Sequence, residues 1–140
     1  MPLYVLSPPL SSLTPLTINQ SQALRTFIEP DSIPNLTHCS QGKDRTGLVI
    51  SLVLMILRVP PDAIDHDYRL SDGSLNAERQ ERLAELRVLG LSDGWIDTDP
   101  GMVPAVKAHM DTKYGGLDGY LDFIGFTEGE RSRLRELLLC

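Results

Sequence analysis

From Leu48 to Leu57 the sequence carries one polar side chain, Ser51, in an otherwise apolar stretch. A helix that is apolar on all sides is a buried one, so this stretch belongs at the centre of the fold with the other elements packed around it. The helix is expected over Leu48 to Val59, where Pro60-Pro61 stops it. Ile33-Pro34-Asn35-Leu36-Thr37, upstream, reads as a short strand. Between the two lies His38-Cys39-Ser40-Gln41-Gly42-Lys43-Asp44-Arg45-Thr46-Gly47. A loop held between a strand end and a helix start points unpaired backbone N–H groups inward and forms a nest for an anion. The helix dipole adds positive potential to that nest.

The loop places a thiol and a guanidinium in this field. A cysteine so situated ionises readily, at a pKa of roughly 3.5–7.5 against about 8.5 for the free side chain. Arg45, six residues beyond Cys39, offers a planar fork that grips two phosphate oxygens together. Nucleophile and phosphate clamp on one loop are the minimum equipment for phosphoryl transfer through a covalent intermediate. Gly42 falls where the loop must turn tightly, and Gly47 where the helix must pack close. Thr46 brings a hydroxyl near the sulfur. The alternative is a buried structural cysteine at a strand end, with Arg45 in an ordinary ion pair.

His38-Cys39 followed by Gly42-Lys43-Asp44-Arg45-Thr46-Gly47 resembles the signature loop of the cysteine-based protein tyrosine phosphatase superfamily. The Gly-Lys-Asp-Arg-Thr-Gly form is similar to that of the bacterial and fungal tyrosine/serine, dual-specificity-like branch. Asp67-Tyr68-Arg69-Leu70-Ser71, Lys113-Tyr114-Gly115-Gly116, Tyr120-Leu121 and Gly125 resemble that branch's later blocks. The resemblance covers roughly residues 25–138. It implies an α/β fold: a phosphatase-like core with the phosphate loop between a strand and the buried central helix, and a helix-rich C-terminal half. A sheet of four or five strands is normal there, most of them before the loop. The stretch from Met1 to His38 is too short to hold them, so the sheet is expected to be reduced or truncated at the N-terminus, as in the C-terminal part of a fuller family domain.

The resemblance also distributes roles. Cys39 is the expected nucleophile. The amides of Ser40, Gln41, Gly42, Lys43, Asp44 and Arg45, with the Arg45 guanidinium, hold the phosphate. Asp44 is expected to do acid/base or substrate-orienting work, as the related branch places an Asp there; otherwise it pairs with a nearby Arg or Lys. Glu29 and Asp31, the acids before Cys39, sit close to the strand entry. His38 braces the loop or is a satisfied buried histidine. Lys43 meets a second phosphate or a phosphoinositide head group, or is solvated. Thr46 donates to the sulfur as it leaves phosphorus, or is a plain helix cap. Asp65, Asp67 and Tyr68 lie on the following helix, with packed or solvated roles expected. Tyr114, Tyr120 and Trp95 are expected in the core.

Substrates expected on this basis are phosphotyrosine, phosphoserine or phosphothreonine in proteins, and phosphoinositides. A phosphate-binding pseudo-phosphatase without turnover is the competing reading. No cofactor is expected, and His38, His66 and His109 show no metal-ligand spacing. The net charge of −6 argues against nucleic acid as a partner. No charged side chain occurs before Arg25, which fits neither a secretory nor an Arg-rich transit peptide. No apolar stretch is long enough to span a membrane, which takes about 20 residues. Two cysteines, Cys39 and Cys140, make no disulfide framework, and a reactive thiol needs a reducing compartment, so a cytoplasmic location is expected.

Residues 1–20 are expected to form an irregular arm, with a strand at Leu3–Leu6 and with Pro8, Pro9 and Pro15 preventing a helix through Leu16. Residues 21–140 then form one domain. In it, Ser21–Glu29 is a short helix, and a second helix starts at Pro61 with Ile64, Tyr68 and Leu70 inward. Ser71–Ser74 is a turn. Leu75–Leu89 is a charged helix ended by Gly90. Ser92–Gly101 is a loop. Helices follow over Met102–Tyr114 and Leu117–Ile124, and a last one is opened by a Thr127/Glu130 capping box.

Overall fold

A computed structural model describes residues 14–39 and 41–139. Among these residues seven helices run in chain order: α1 (Thr14–Arg25), α2 (Arg45–Ile56), α3 (Pro61–Leu75), α4 (Arg79–Val88), α5 (Met102–Tyr114), α6 (Leu117–Phe123) and α7 (Glu128–Leu138). Short 3₁₀ turns cover Asn76–Glu78 and Asp93–Ile96. Among the described residues there is no β-strand.

The central helix is α2, and it begins three residues earlier than its apolar stretch, at Arg45. Its Val49, Leu52, Val53 and Ile56 are buried in the larger core with Leu24, Phe27, Met110, Leu121, Phe126 and Leu134. Leu54 and Met55, on its other side, pack against a smaller cluster of Ile64, Tyr68 and Val103. The helix therefore divides two apolar clusters, which is what a stretch with one polar residue requires. Burying one such side chain contributes roughly 1.5–3 kcal/mol, so both faces hold α2 in place.

The C-terminal helices form where their signals stand. Gly115 and Gly116, both at positive φ, end α5 in backbone conformations that disfavour other residues. The capping box is complete: the Thr127 hydroxyl accepts from the Glu130 amide at 3.4 Å, and Glu130 Oε2 accepts from the Thr127 amide at 2.7 Å. Glu130 also ties α7 to the end of α1, through Arg25 Nε at 2.6 Å.

Other expectations are corrected. The helix α1 covers Thr14–Arg25, so Pro15 and Leu16 are helical where the prolines were expected to prevent a helix. The expected strand Ile33–Thr37 has no regular structure. A strand needs a ladder partner, and no described segment supplies one; Pro34 also lacks a donor. Local bonds replace the ladder: Asn35 Nδ2 donates to the Thr26 carbonyl at 3.1 Å, and the Thr37 hydroxyl to Asn35 Oδ1 at 3.0 Å. Ser71–Ser74 continues α3 rather than turning, and Leu70 faces out. The helix expected over Leu75–Leu89 is interrupted by the 3₁₀ turn, so that α4 starts only at Arg79. The strand expected at Leu3–Leu6 lies outside the described residues.

No helix among the described residues is long and apolar enough to cross a membrane.

Candidate active site

The described part of the loop turns on Gly42, whose positive φ is a left-handed conformation open to glycine at little cost. This turn aims the Gly42 amide at the Cys39 sulfur, to which it donates at 3.2 Å. Cys39 is a half-buried free thiol. Burial pushes its pKa up, but the Thr46 hydroxyl and the amides of Thr46, Gln41 and Gly42 outweigh burial and lower it to about 7. The Thr46 hydroxyl is itself buried and makes no hydrogen bond of ordinary geometry. It acts on the sulfur through its dipole, which needs proximity rather than ideal alignment. Thr46 is the second residue of α2 and not its cap; the capping position belongs to Asp44, whose side chain caps nothing.

The carboxylate of Asp44 instead holds Lys43, with Nζ to Oδ1 at 2.8 Å. The Lys43 side chain is 2% exposed, so this ammonium is neither solvated nor spread on the surface. Burial of a lysine requires such a partner. Arg45, the first residue of α2, is exposed, and so is His38, which removes the buried-histidine alternative. Gln41 is half-buried. Ser40 lies outside the described residues.

Close packing fixes the start of α2. A Cβ placed on Gly47 would come 2.8 Å from Cε2 and 2.9 Å from Cδ2 of Tyr68. Tyr68 is buried on α3, and its hydroxyl accepts from the Asp99 amide at 3.4 Å. Burial pushes its phenol pKa up, against the Asp99 amide; the nearby charges of Asp44, Asp99 and Asp72 add to the rise. One turn along α3, Asp72 takes both the amide and the hydroxyl of buried Thr98, each at 2.7 Å. The segment after the Asp93–Ile96 turn is thus pinned beside the loop.

The result is a cleft of about 440 Å³ with Lys43, Asp44, Tyr68, Trp95, Asp97 and Asp99 among its walls. Asp97 pairs with Arg79 through both carboxylate oxygens. The Arg79 hydrogen bonds hold its carboxyl below the usual range against slight burial, and the charges of Arg79 and Lys43 add to the effect. On the other flank of the loop, Gln41 borders a second cleft of about 360 Å³ with Glu81, Glu85 and Leu89 of the α4 region.

A thiol lowered to about pH 7 and fed by loop amides stands directly before a buried helix. The family model for the tyrosine phosphatase family matches residues 14–140. The chain belongs to the tyrosine phosphatase family. Over 121 residues it is 32% identical to the triple specificity protein phosphatase PtpB of Mycobacterium tuberculosis, covering 76% of this chain and 44% of that protein. Over 114 residues it is 34% identical to a tyrosine-protein phosphatase of Nostoc commune, covering 71% of this chain and 37% of the other. This phosphatase-family chain thus matches less than half the length of either relative.

Residue patterns in the phosphatase-family chain identified the loop but not its walls. Trp95 was expected in the core; it is half-buried and lines the cleft. Asp97 and Asp99 gave no signal, since isolated acids in a loop read as solvated. The one available hint was the Ser92–Gly101 stretch itself, a loop with a tryptophan in it. Asp67 is exposed and does not line the cleft, while its neighbour Tyr68 does. Tyr120 is buried in the main core, as expected, and Tyr114 packs against it.

Proposed function

We propose that the chain is a cysteine-dependent, metal-independent phosphomonoester hydrolase acting on phosphotyrosine, and on phosphoserine or phosphothreonine, in proteins. The observation that carries this is the Cys39 sulfur: it accepts from a loop amide at 3.2 Å and has a pKa near 7, so much of it is thiolate at neutral pH. In this reading Sγ attacks phosphorus in line, and the ester oxygen leaves as the S–P bond forms. Charge spreads over three equatorial oxygens in the transition state. The amides of residues 41–45 and the Arg45 guanidinium are the groups that stabilise it in this reading. The leaving oxygen takes its proton from solvent, while Asp44, its carboxylate held by Lys43 at 2.8 Å, orients the water of the second step and accepts its proton. Water then attacks the phosphocysteine, and Thr46 supports the departing sulfur. His38 steadies the loop from its exposed side.

Hydrolysis of p-nitrophenyl phosphate by the wild type in the presence of a chelator, abolished in Cys39→Ser, supports the proposal. Phosphate or vanadate binding without turnover in the wild type overturns it in favour of a binding module. Phosphoinositide hydrolysis belongs in the same assay, because the loop's lysine is buried against Asp44 and a lipid head group has to displace that carboxylate to reach it. The free thiol also fits a reducing, cytoplasmic setting.

A further inference from the structure

The cleft beside the loop has a charge balance of its own. Lys43 and Asp44 neutralise each other at 2.8 Å, and Asp97 is neutralised by Arg79, with Nη2 to Oδ2 at 2.9 Å. Asp99 is different. Its Oδ1 accepts from the Gly101 amide at 2.8 Å, and no cation among the described residues pairs with it. Its backbone is fixed by Tyr68 and, one residue earlier, by the two bonds from Asp72, so the carboxylate is held rather than loose. In the same walls stands Trp95, half-buried, with an aromatic face of the kind that attracts cations. A cleft lined also by Lys43 and Asp44 of the loop therefore holds one uncompensated negative charge and an indole ring among its walls.

We infer that this cleft reads a side chain flanking the phosphorylated residue of a peptide substrate, and that it selects a cationic one, Arg or Lys, through Asp99 and Trp95. This rests on the hydrolase reading above and narrows its substrate class. The cationic head pairs with Asp99 while its stem or guanidinium plane lies on Trp95. An acidic neighbour meets Asp99 as a like charge and is disfavoured. Asp72 is a positioning residue in this scheme, since it holds the wall through Thr98 and is not among the residues lining the cleft.

Two phosphotyrosine peptides test this, alike except that the residues on both sides of phosphotyrosine are Arg in one and Glu in the other. The quantity read is the ratio of their kcat/KM values, from which any general loss of activity cancels. The expected wild-type ratio is about tenfold in favour of Arg, the size of an exposed ion pair together with a cation–π contact. Asp99→Asn and Trp95→Ala each reduce the ratio severalfold. Glu136→Gln, which removes an exposed charge on α7 that is not among the residues lining the cleft, leaves it unchanged and separates the cleft from the chain's net charge. A wild-type ratio near one, or a ratio that Glu136→Gln lowers as much as Asp99→Asn does, overturns the inference while leaving the hydrolase standing if p-nitrophenyl phosphate is turned over. Absence of any turnover overturns both.

Discussion

The ring of Tyr68 occupies the space that a side chain at Gly47 would need, with Cε2 only 2.8 Å from the position of a Cβ. That contact joins α3 to the first turn of α2, the turn that follows the loop carrying Cys39. Tyr68 is buried and bonded to Asp99, so it has little freedom to yield. Gly47→Ala is expected to destabilise the fold by about 1–3 kcal/mol, as overpacking typically does. Urea unfolding measures it. Because the two residues touch, the loss in a Gly47→Ala/Tyr68→Leu double variant should be smaller than the sum of the single losses. Strict additivity would show that the contact is not made.

The Cys39 thiol should ionise near pH 7. Its alkylation by iodoacetamide is expected to rise with a midpoint there, below the value of about 8.5 for a free cysteine. Thr46→Val removes one of the groups that lower the pKa, so the midpoint should move up. A profile centred at or above 8.5 in the wild type, or no upward move in the variant, contradicts the site as described.

Arg45→Lys keeps the charge and loses the two-pronged grip. If the loop works as proposed, turnover of p-nitrophenyl phosphate falls by about 10²–10³, the usual cost of losing one transition-state donor. Turnover close to wild type would count against Arg45 as the phosphate clamp.

Asp72 satisfies both polar groups of Thr98, which is 6% exposed. Asp72→Ala leaves a buried amide and hydroxyl without partners, at a cost of about 1–3 kcal/mol. The local signature is amide exchange at Thr98, expected to accelerate more than exchange in α2. Equal acceleration everywhere would mean that Asp72 acts on global stability alone.

At α7, hydrogen bonding to Arg25 holds the Glu130 carboxyl below its ordinary range; burial opposes this, and the Thr127 amide and hydroxyl assist. A carboxyl depressed by folding contributes stability that is fully present above its unfolded pKa, about 4.3, and is lost as pH falls through the lower folded value. The difference in thermal midpoint between wild type and Glu130→Gln should therefore be largest near neutrality and shrink below about pH 4. Thr127→Ala removes the other half of the cap and should cost about 1 kcal/mol.

Much of this molecule can be read from residue order, and the reasons are local. Pro61, Gly115-Gly116 and the Thr127/Glu130 pair mark helix ends through bonds made within a few residues, and they stand where expected. The apolar stretch of α2 dictates burial whatever surrounds it. The loop is equally local: Gly42 turns, and its amide meets the sulfur three residues back. What stayed illegible depends on distant partners. Ser71–Ser74 has the composition of a turn, yet Asp72 stays helical and bonds Thr98 across 26 residues. Trp95 and Asp99 come beside the loop through Tyr68 and Asp72, and no pattern in a single segment announces that. Ile33–Thr37 has strand-like residues, but a strand is a property of two segments.

The buried ammonium of Lys43 carries one more consequence. Lys107 and Lys113 are exposed, whereas Lys43 is 2% exposed and engaged with Asp44. An amine-acylating reagent working on the folded chain would meet those two lysines before Lys43. Covalent labelling at Lys43 should then appear only on opening of the loop that carries Cys39, so the residue doubles as a built-in reporter of that event.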